Sequence, residues 1–102
     1  MKTSTFLVAL LICNLLLAPN LYAQTATVMG KITRHNQPAA NVIVSIGDKF
    51  SVTDAQGRYL IKDVPFGRPT LRIKENKQGG QVLREVDTEV RQPRLVQDEV
   101  IP

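Results

Sequence analysis

The chain has no tryptophan, one histidine and one cysteine among its 102 residues. Each shortage closes off some chemistry. The cysteine, Cys13, lies inside an apolar run near the N-terminus. Lys2 gives that region a positive start, Phe6 to Ala18 form the apolar stretch, Pro19 interrupts it, and Leu21-Tyr22-Ala23 ends on a small residue. This is the order of a secretory signal peptide, with cleavage expected after Ala23. A spanning helix needs about 18 or more apolar residues, and this run is shorter and broken by Asn14. Leu11-Ile12 precede Cys13 and the apolar run continues past it, so the pattern of a lipidated cysteine does not fit. Cleavage leaves 79 residues without cysteine. Disulfides, thiolate metal sites and a thiol nucleophile are then excluded. A domain of this size must rest on its apolar core alone, and its stability should be modest.

Helical periodicity is also missing beyond residue 23; the dominant period there is two. Thr27 to Thr33 places Val28, Gly30 and Ile32 on one face. Val42, Val44 and Ile46 alternate next. Gly47-Asp48 suits a tight turn, and Lys49 to Thr53 returns with Phe50 and Val52 expected inward. Asp54-Ala55-Gln56-Gly57 is the next turn, with Asp54 capping its backbone N–H groups and Gly57 taking the left-handed position. Arg58 to Lys62 follows with Tyr59 and Ile61 inward, and Val64 is expected under the Asp63-to-Gly67 bend. Leu71 and Ile73 point inward from the next strand. Val82 to Val90 alternates again, Pro93 breaks the run, and Arg94 to Ile101 reads as a final edge strand. Six to seven short strands, each with one apolar face needing cover, predict an all-β, small antiparallel β-sandwich preceded by the helical signal peptide. The boundaries expected are 1–23 for the leader, 24–92 for the sandwich and 93–102 for an edge strand or tail.

Four ordered features resemble the carboxypeptidase regulatory-like domain, a transthyretin-like β-sandwich. They are Val28-Met29-Gly30-Lys31-Ile32, Gln37 to Val44, Thr53-Asp54-Ala55-Gln56-Gly57-Arg58-Tyr59, and Val64-Pro65-Phe66-Gly67. The resemblance covers about residues 26–90. Arg68 departs from it, since an aromatic residue often follows that glycine in the family. The matched residues are turn formers and core fillers. The resemblance therefore implies a fold and a binding, scaffolding or folding-support role, and no reaction.

The residues for catalysis are missing too. His35 sits in a polar loop without partners for a metal site or a hydrolytic triad. Some transthyretin-like proteins hydrolyse a purine-derived substrate, but that activity needs several histidines and a distinctive C-terminal tetrapeptide, and this chain ends Val100-Ile101-Pro102. Asp54 lacks enough carboxylate neighbours for calcium. Glu85, Asp87 and Glu89 read as a solvated strand edge that blocks aggregation, not as a glycosidase pair. Lys31 stands where another sandwich family places an isopeptide lysine, yet residues 82–101 contain no asparagine. No catalytic residue, metal ligand or cofactor is expected.

What the sequence does have is charge asymmetry. Residues 24–74 carry eight basic and three acidic groups, while residues 75–102 carry four basic and six acidic groups. The outward set Lys49, Arg58, Lys62, Arg72 and Lys74, with Phe66 and Arg68, is the expected binding surface. A periplasmic or secreted module meeting a protein partner in the cell envelope is the first reading. An anionic glycan is the second, although aromatic platforms are scarce: only Phe50, Tyr59 and Phe66 follow the leader. Nucleic acid is not expected as a partner, nor a membrane except during export.

Overall fold

The computed structural model describes residues 24–102, all of it strand, turn and loop. The expected leader, including Cys13, lies outside the described residues. In chain order the strands are β1 (Thr25–Arg34), β2 (Gln37–Pro38), β3 (Val42–Ile46), β4 (Lys49–Val52), β5 (Arg58–Pro65), β6 (Thr70–Glu75), β7 (Val82–Asp87), β8 (Arg94–Val96) and β9 (Glu99–Ile101). They form two sheets. One is four-stranded with order β4-β3-β6-β7; the other centres on β1, flanked by β2 and β5 and by β8 and β9. The inner faces meet over Val28 and Ile32 from β1, Val44 from β3, Ile61 and Val64 from β5, and Leu71 and Ile73 from β6, all buried. The expected all-β sandwich is the observed architecture.

The strand count exceeds the six to seven expected, and the pairing is not wholly antiparallel. The anticipated last edge strand splits into β8 and β9, which both run parallel to β1. Between them Gln97 and Asp98 cross over Gly30. A Cβ at Gly30 would collide with the Gln97 backbone, so only glycine admits the crossing. The Gln97 amide donates to the Met29 carbonyl (2.8 Å), and the Lys31 amide donates to Asp98 Oδ1 (2.8 Å).

Three local devices set which side chains face inward. Asp63 adopts φ 60° at a register shift in the β1–β5 ladder, where Ala26 opposes Val64 but Val28 opposes Ile61. This bulge turns both Ile61 and Val64 inward despite their odd spacing. A second shift leaves Val82 opposite Lys74 and Arg84 opposite Ile73. Val82 therefore faces out and is half exposed (50%), off the side of β7 where the alternation expected it.

The third device is the Gly47-Asp48 hairpin, which corrects the expectation for Phe50 and Val52. Its two-residue loop sets Ile46 opposite Lys49, Ser45 opposite Phe50 and Ile43 opposite Val52. Directly opposed residues share a face. Val44 and Ile46 are buried, so Ser51 and Lys49 take the inner side, and Phe50 (67% exposed) and Val52 (43% exposed) face solvent.

Candidate functional site

The turn at Asp54 holds the corner where β4 leaves one sheet and β5 enters the other. Asp54 Oδ1 accepts the amides of Gln56 and Arg58, both at 2.9 Å, as the sequence predicts. Gly57 takes φ 78°. Thr53, buried just before the turn, accepts the Val42 amide on Oγ1 (3.0 Å) and donates to the Ala39 carbonyl (2.6 Å). The corner is thus pinned to the loop ahead of β3, which fixes β4 and β5 relative to one another.

A cleft opens along this corner. On the outer face of the β1 sheet, Met29 stands directly opposite Leu60 on β5 and directly opposite Val96 on β8. These three side chains form an apolar row across three strands, and Val52 closes it from β4. Leu60 is 46% exposed and Val96 61%. Lys31, Asp54, Arg58 and Asp98 form the polar rim. An apolar centre inside a charged rim is the anatomy of an interaction surface. Tyr59 lines the inner wall, and its hydroxyl donates to the Gln97 carbonyl (2.6 Å). Burial, reinforced by the negative charges of Asp98 and Glu99, pushes the Tyr59 phenol far above its usual range.

The opposite outer face holds a shallow trough along β3. Ile43 and Ser45 form its floor. Phe50 and the hairpin end at Gly47 to Lys49 lie on one side, with Arg72, Lys74, Val82 and Glu85 on the other. Arg72 Nε pairs with Glu85 (3.0 Å), while Lys74 and Lys49 have no ion-pair partner among the described residues.

The seven residues expected to form a binding surface therefore occupy three places. Arg72 and Lys74 border the trough. Lys49, expected outward, takes the inner side of β4 because the hairpin sets it opposite buried Ile46, and it meets the trough only at the hairpin end. Arg58 and Lys62 alternate with Leu60 on the outer face of β5, and Arg58 pairs with Asp54 (3.7 Å). Phe66 and Arg68 lie at one end of the sandwich, where Phe66 is half-buried against the core and Arg68 pairs with Glu89 (3.5 Å). The apolar row escaped sequence reasoning because it is built from three strands far apart in the chain. The parity of the Gly47-Asp48 hairpin was the signal for the outward position of Phe50.

The acids of β7 and of the segment after it each meet a partner: Glu85 meets Arg72, Asp87 accepts from Thr70, and Glu89, beyond the strand, meets Arg68 and Arg91. β7 is an edge of its sheet. His35 is exposed in a turn at φ 51°. Among the described residues no group of three or more His, Cys, Asp or Glu side chains is placed to hold a metal ion.

No family model matches the chain. It is similar to the TonB-dependent transporter Oar of Myxococcus xanthus, with 38% identity over 64 residues that cover 55% of this chain and 6% of the transporter. Among solved structures it resembles a chain of an N-terminal interface mutant of a type II cohesin–X-dockerin complex from Acetivibrio cellulolyticus. The TM-score is 0.56 at 24% identity, over 72% of this chain and 51% of that one. A C-terminal interface mutant of the same complex gives a TM-score of 0.50 at 22% identity, over 74% and 51%. The chain thus spans about half the length of the solved chains and a small fraction of the transporter. At this identity the likeness establishes the fold alone, a β-sandwich.

Proposed function

We propose that this chain is an exported, non-catalytic module of the carboxypeptidase regulatory-like type that docks a protein partner in the cell envelope. The observation that carries the reading is the row Leu60–Met29–Val96, exposed on the outer face of the β1 sheet and rimmed by charge. β8 pairs with β1 alone among the described strands, so its far edge is free. A partner strand added there would set its own side chain beside Val96 and extend the row. Export is supported by the leader pattern, and the envelope by the likeness to a segment of a TonB-dependent transporter.

A second reading, an anionic glycan in the trough, is favoured by one finding. Phe50 is exposed beside the small Ser45 and faces Arg72 and Lys74 across it, an aromatic platform with cations opposite.

Photo-crosslinking residues placed at Val96 and at Phe50 in envelope preparations separate the two. Protein docking predicts one discrete protein adduct from Val96 and none from Phe50. No adduct from Val96, together with salt-sensitive binding of uronate- or sulfate-bearing polymers that Phe50→Ala removes, would replace the first reading with the second.

A further inference from the structure

The inner side of the final segment differs from that of the other strands. In β3 the inward residues Val42, Val44 and Ile46 are all buried and apolar, and so are Leu71 and Ile73 in the body of β6. From Arg94 to Pro102 the inward positions are Leu95, Gln97, Glu99 and Ile101, and two of these four are polar. Glu99 is buried yet accepts from Arg84 Nε (2.8 Å) and from Gln97 Nε2 (2.7 Å). Gln97 gives its carbonyl to Tyr59. Asp98 receives the Lys31 amide, and the Pro102 carbonyl receives Arg34 Nε (2.9 Å). Arg94, Val96, Asp98 and Val100 face solvent.

These contacts specify register closely and bury little apolar surface. Hydrogen bonds exchange with water at small net gain, whereas apolar burial does not. Most of the core belongs to other strands, and only Leu95 and Ile101 enter it from this segment. The link to the rest of the chain is short. Val90 is bridged to Gly67 on the body side, the Pro93 carbonyl accepts the Thr27 amide as the first contact that moves with the segment, and exposed Arg91 and Gln92 between them are the hinge.

We infer that Arg94–Pro102 is a detachable strap, and that the vacated edge of β1 receives the corresponding strap of a second copy of this chain. The slot is cut to the strap's own groups. Gly30 makes room for the Gln97 backbone, the Lys31 amide meets Asp98, and Arg84 meets Glu99. A second copy carries that set at every position. In the exchanged pair each strap contact re-forms between copies, so concentration decides the balance. This inference goes beyond the docking reading and does not depend on it, although Val96 takes part in both.

The test uses the full chain, with Cys13→Ser throughout so that any molecule keeping its leader also carries no other thiol. One preparation carries Met29→Cys and another Val96→Cys, two positions directly opposed in the structure. They are mixed, held at rising concentration, oxidised, and the linked peptides are identified by mass. Exchange predicts that 29–96 links outnumber 29–29 and 96–96 links by about tenfold and increase with concentration. Tyr59→Phe removes the bond to Gln97 in the closed and exchanged states alike. It therefore speeds the approach to equilibrium severalfold and leaves the final dimer fraction unchanged. Links in collision proportions, or no linked dimers at any concentration, overturn the inference. So does hydrogen exchange in which the amides of residues 97–101 are as protected as those of Val44 and Ile73.

Discussion

Ile32 donates its amide to the Gly57 carbonyl at 2.8 Å, and its own carbonyl lies against the Cα of Gly57 where no Cβ fits. Gly57 also holds φ 78°, so a side chain there meets both strain and collision. Gly57→Ala should cost about 2 kcal/mol or more, and Gly57→Val more again because β-branching opposes the left-handed region. Urea unfolding of the three proteins measures this. Gly47 is the internal control. It has φ 61° but open space around it, so Gly47→Ala should cost only the strain, about 1 kcal/mol.

Thr53 makes a second prediction. Its hydroxyl serves two backbone groups inside the protein, the Val42 amide and the Ala39 carbonyl. Thr53→Val keeps the shape and strands both groups, which should cost about 2–4 kcal/mol. Thr53→Ser keeps both bonds and loses one methyl group, at a cost of about 1 kcal/mol. Thermal melts in which valine is tolerated as well as serine would remove the pinning role assigned to this side chain.

Phe50 shows how legible the molecule was in its sequence. The period-two segments, the Asp54 cap and the Gly57 turn are local chemistry, and each was readable in place. The face of Phe50 was readable too, since a two-residue hairpin puts residues 46 and 49 on one side, but alternation within β4 taken alone points the other way. The bulges at Asp63 and beside Leu83 follow from no residue pattern that alternation detects. The parallel docking of β8 and β9 joins residues about seventy positions apart, and that pairing depends on a backbone crossing at Gly30 that only the assembled fold reveals. The row Leu60–Met29–Val96 inherits the same difficulty. The outward position of Phe50 predicts that Phe50→Ala changes stability by less than about 0.5 kcal/mol, against about 2–5 kcal/mol for Ile73→Ala in the core. Matching losses at the two sites would return Phe50 to the interior.

Arg84 and Glu99 join the two sheets. Their side chains are 47% and 9% exposed, and the Nε–Oε2 distance is 2.8 Å. The half-exposed arginine tolerates the loss of its partner, whereas the buried carboxylate does not. Arg84→Met should therefore destabilise by about 1–3 kcal/mol, with solvent at the arginine keeping the value below that of a fully buried pair. Glu99→Leu should cost less. The double variant should be more stable than Arg84→Met alone, because no buried charge remains. A double-mutant cycle by urea unfolding reads all three. Equal costs for the two single variants would contradict the asymmetry.

Tyr59 supplies the dependence on pH. Burial, then the charges of Asp98 and Glu99, hold its phenol well above the usual value near 10. In the unfolded chain that phenol ionises near 10. Above this pH the folded state retains a proton that the unfolded state has released. The stabilisation is present in full below pH 10 and declines as pH rises, by about 1.4 kcal/mol per unit from this one group, until the folded phenol itself ionises. Lysines titrate in the same range, so the contrast with Tyr59→Phe isolates the effect. That variant loses the hydroxyl and its bond to Gln97, and it should start less stable at pH 8. Its urea midpoint should then fall less steeply between pH 9 and 11, and the two curves should converge. Parallel curves across that interval would mean that the Tyr59 hydroxyl ionises in the folded protein as easily as in the unfolded chain.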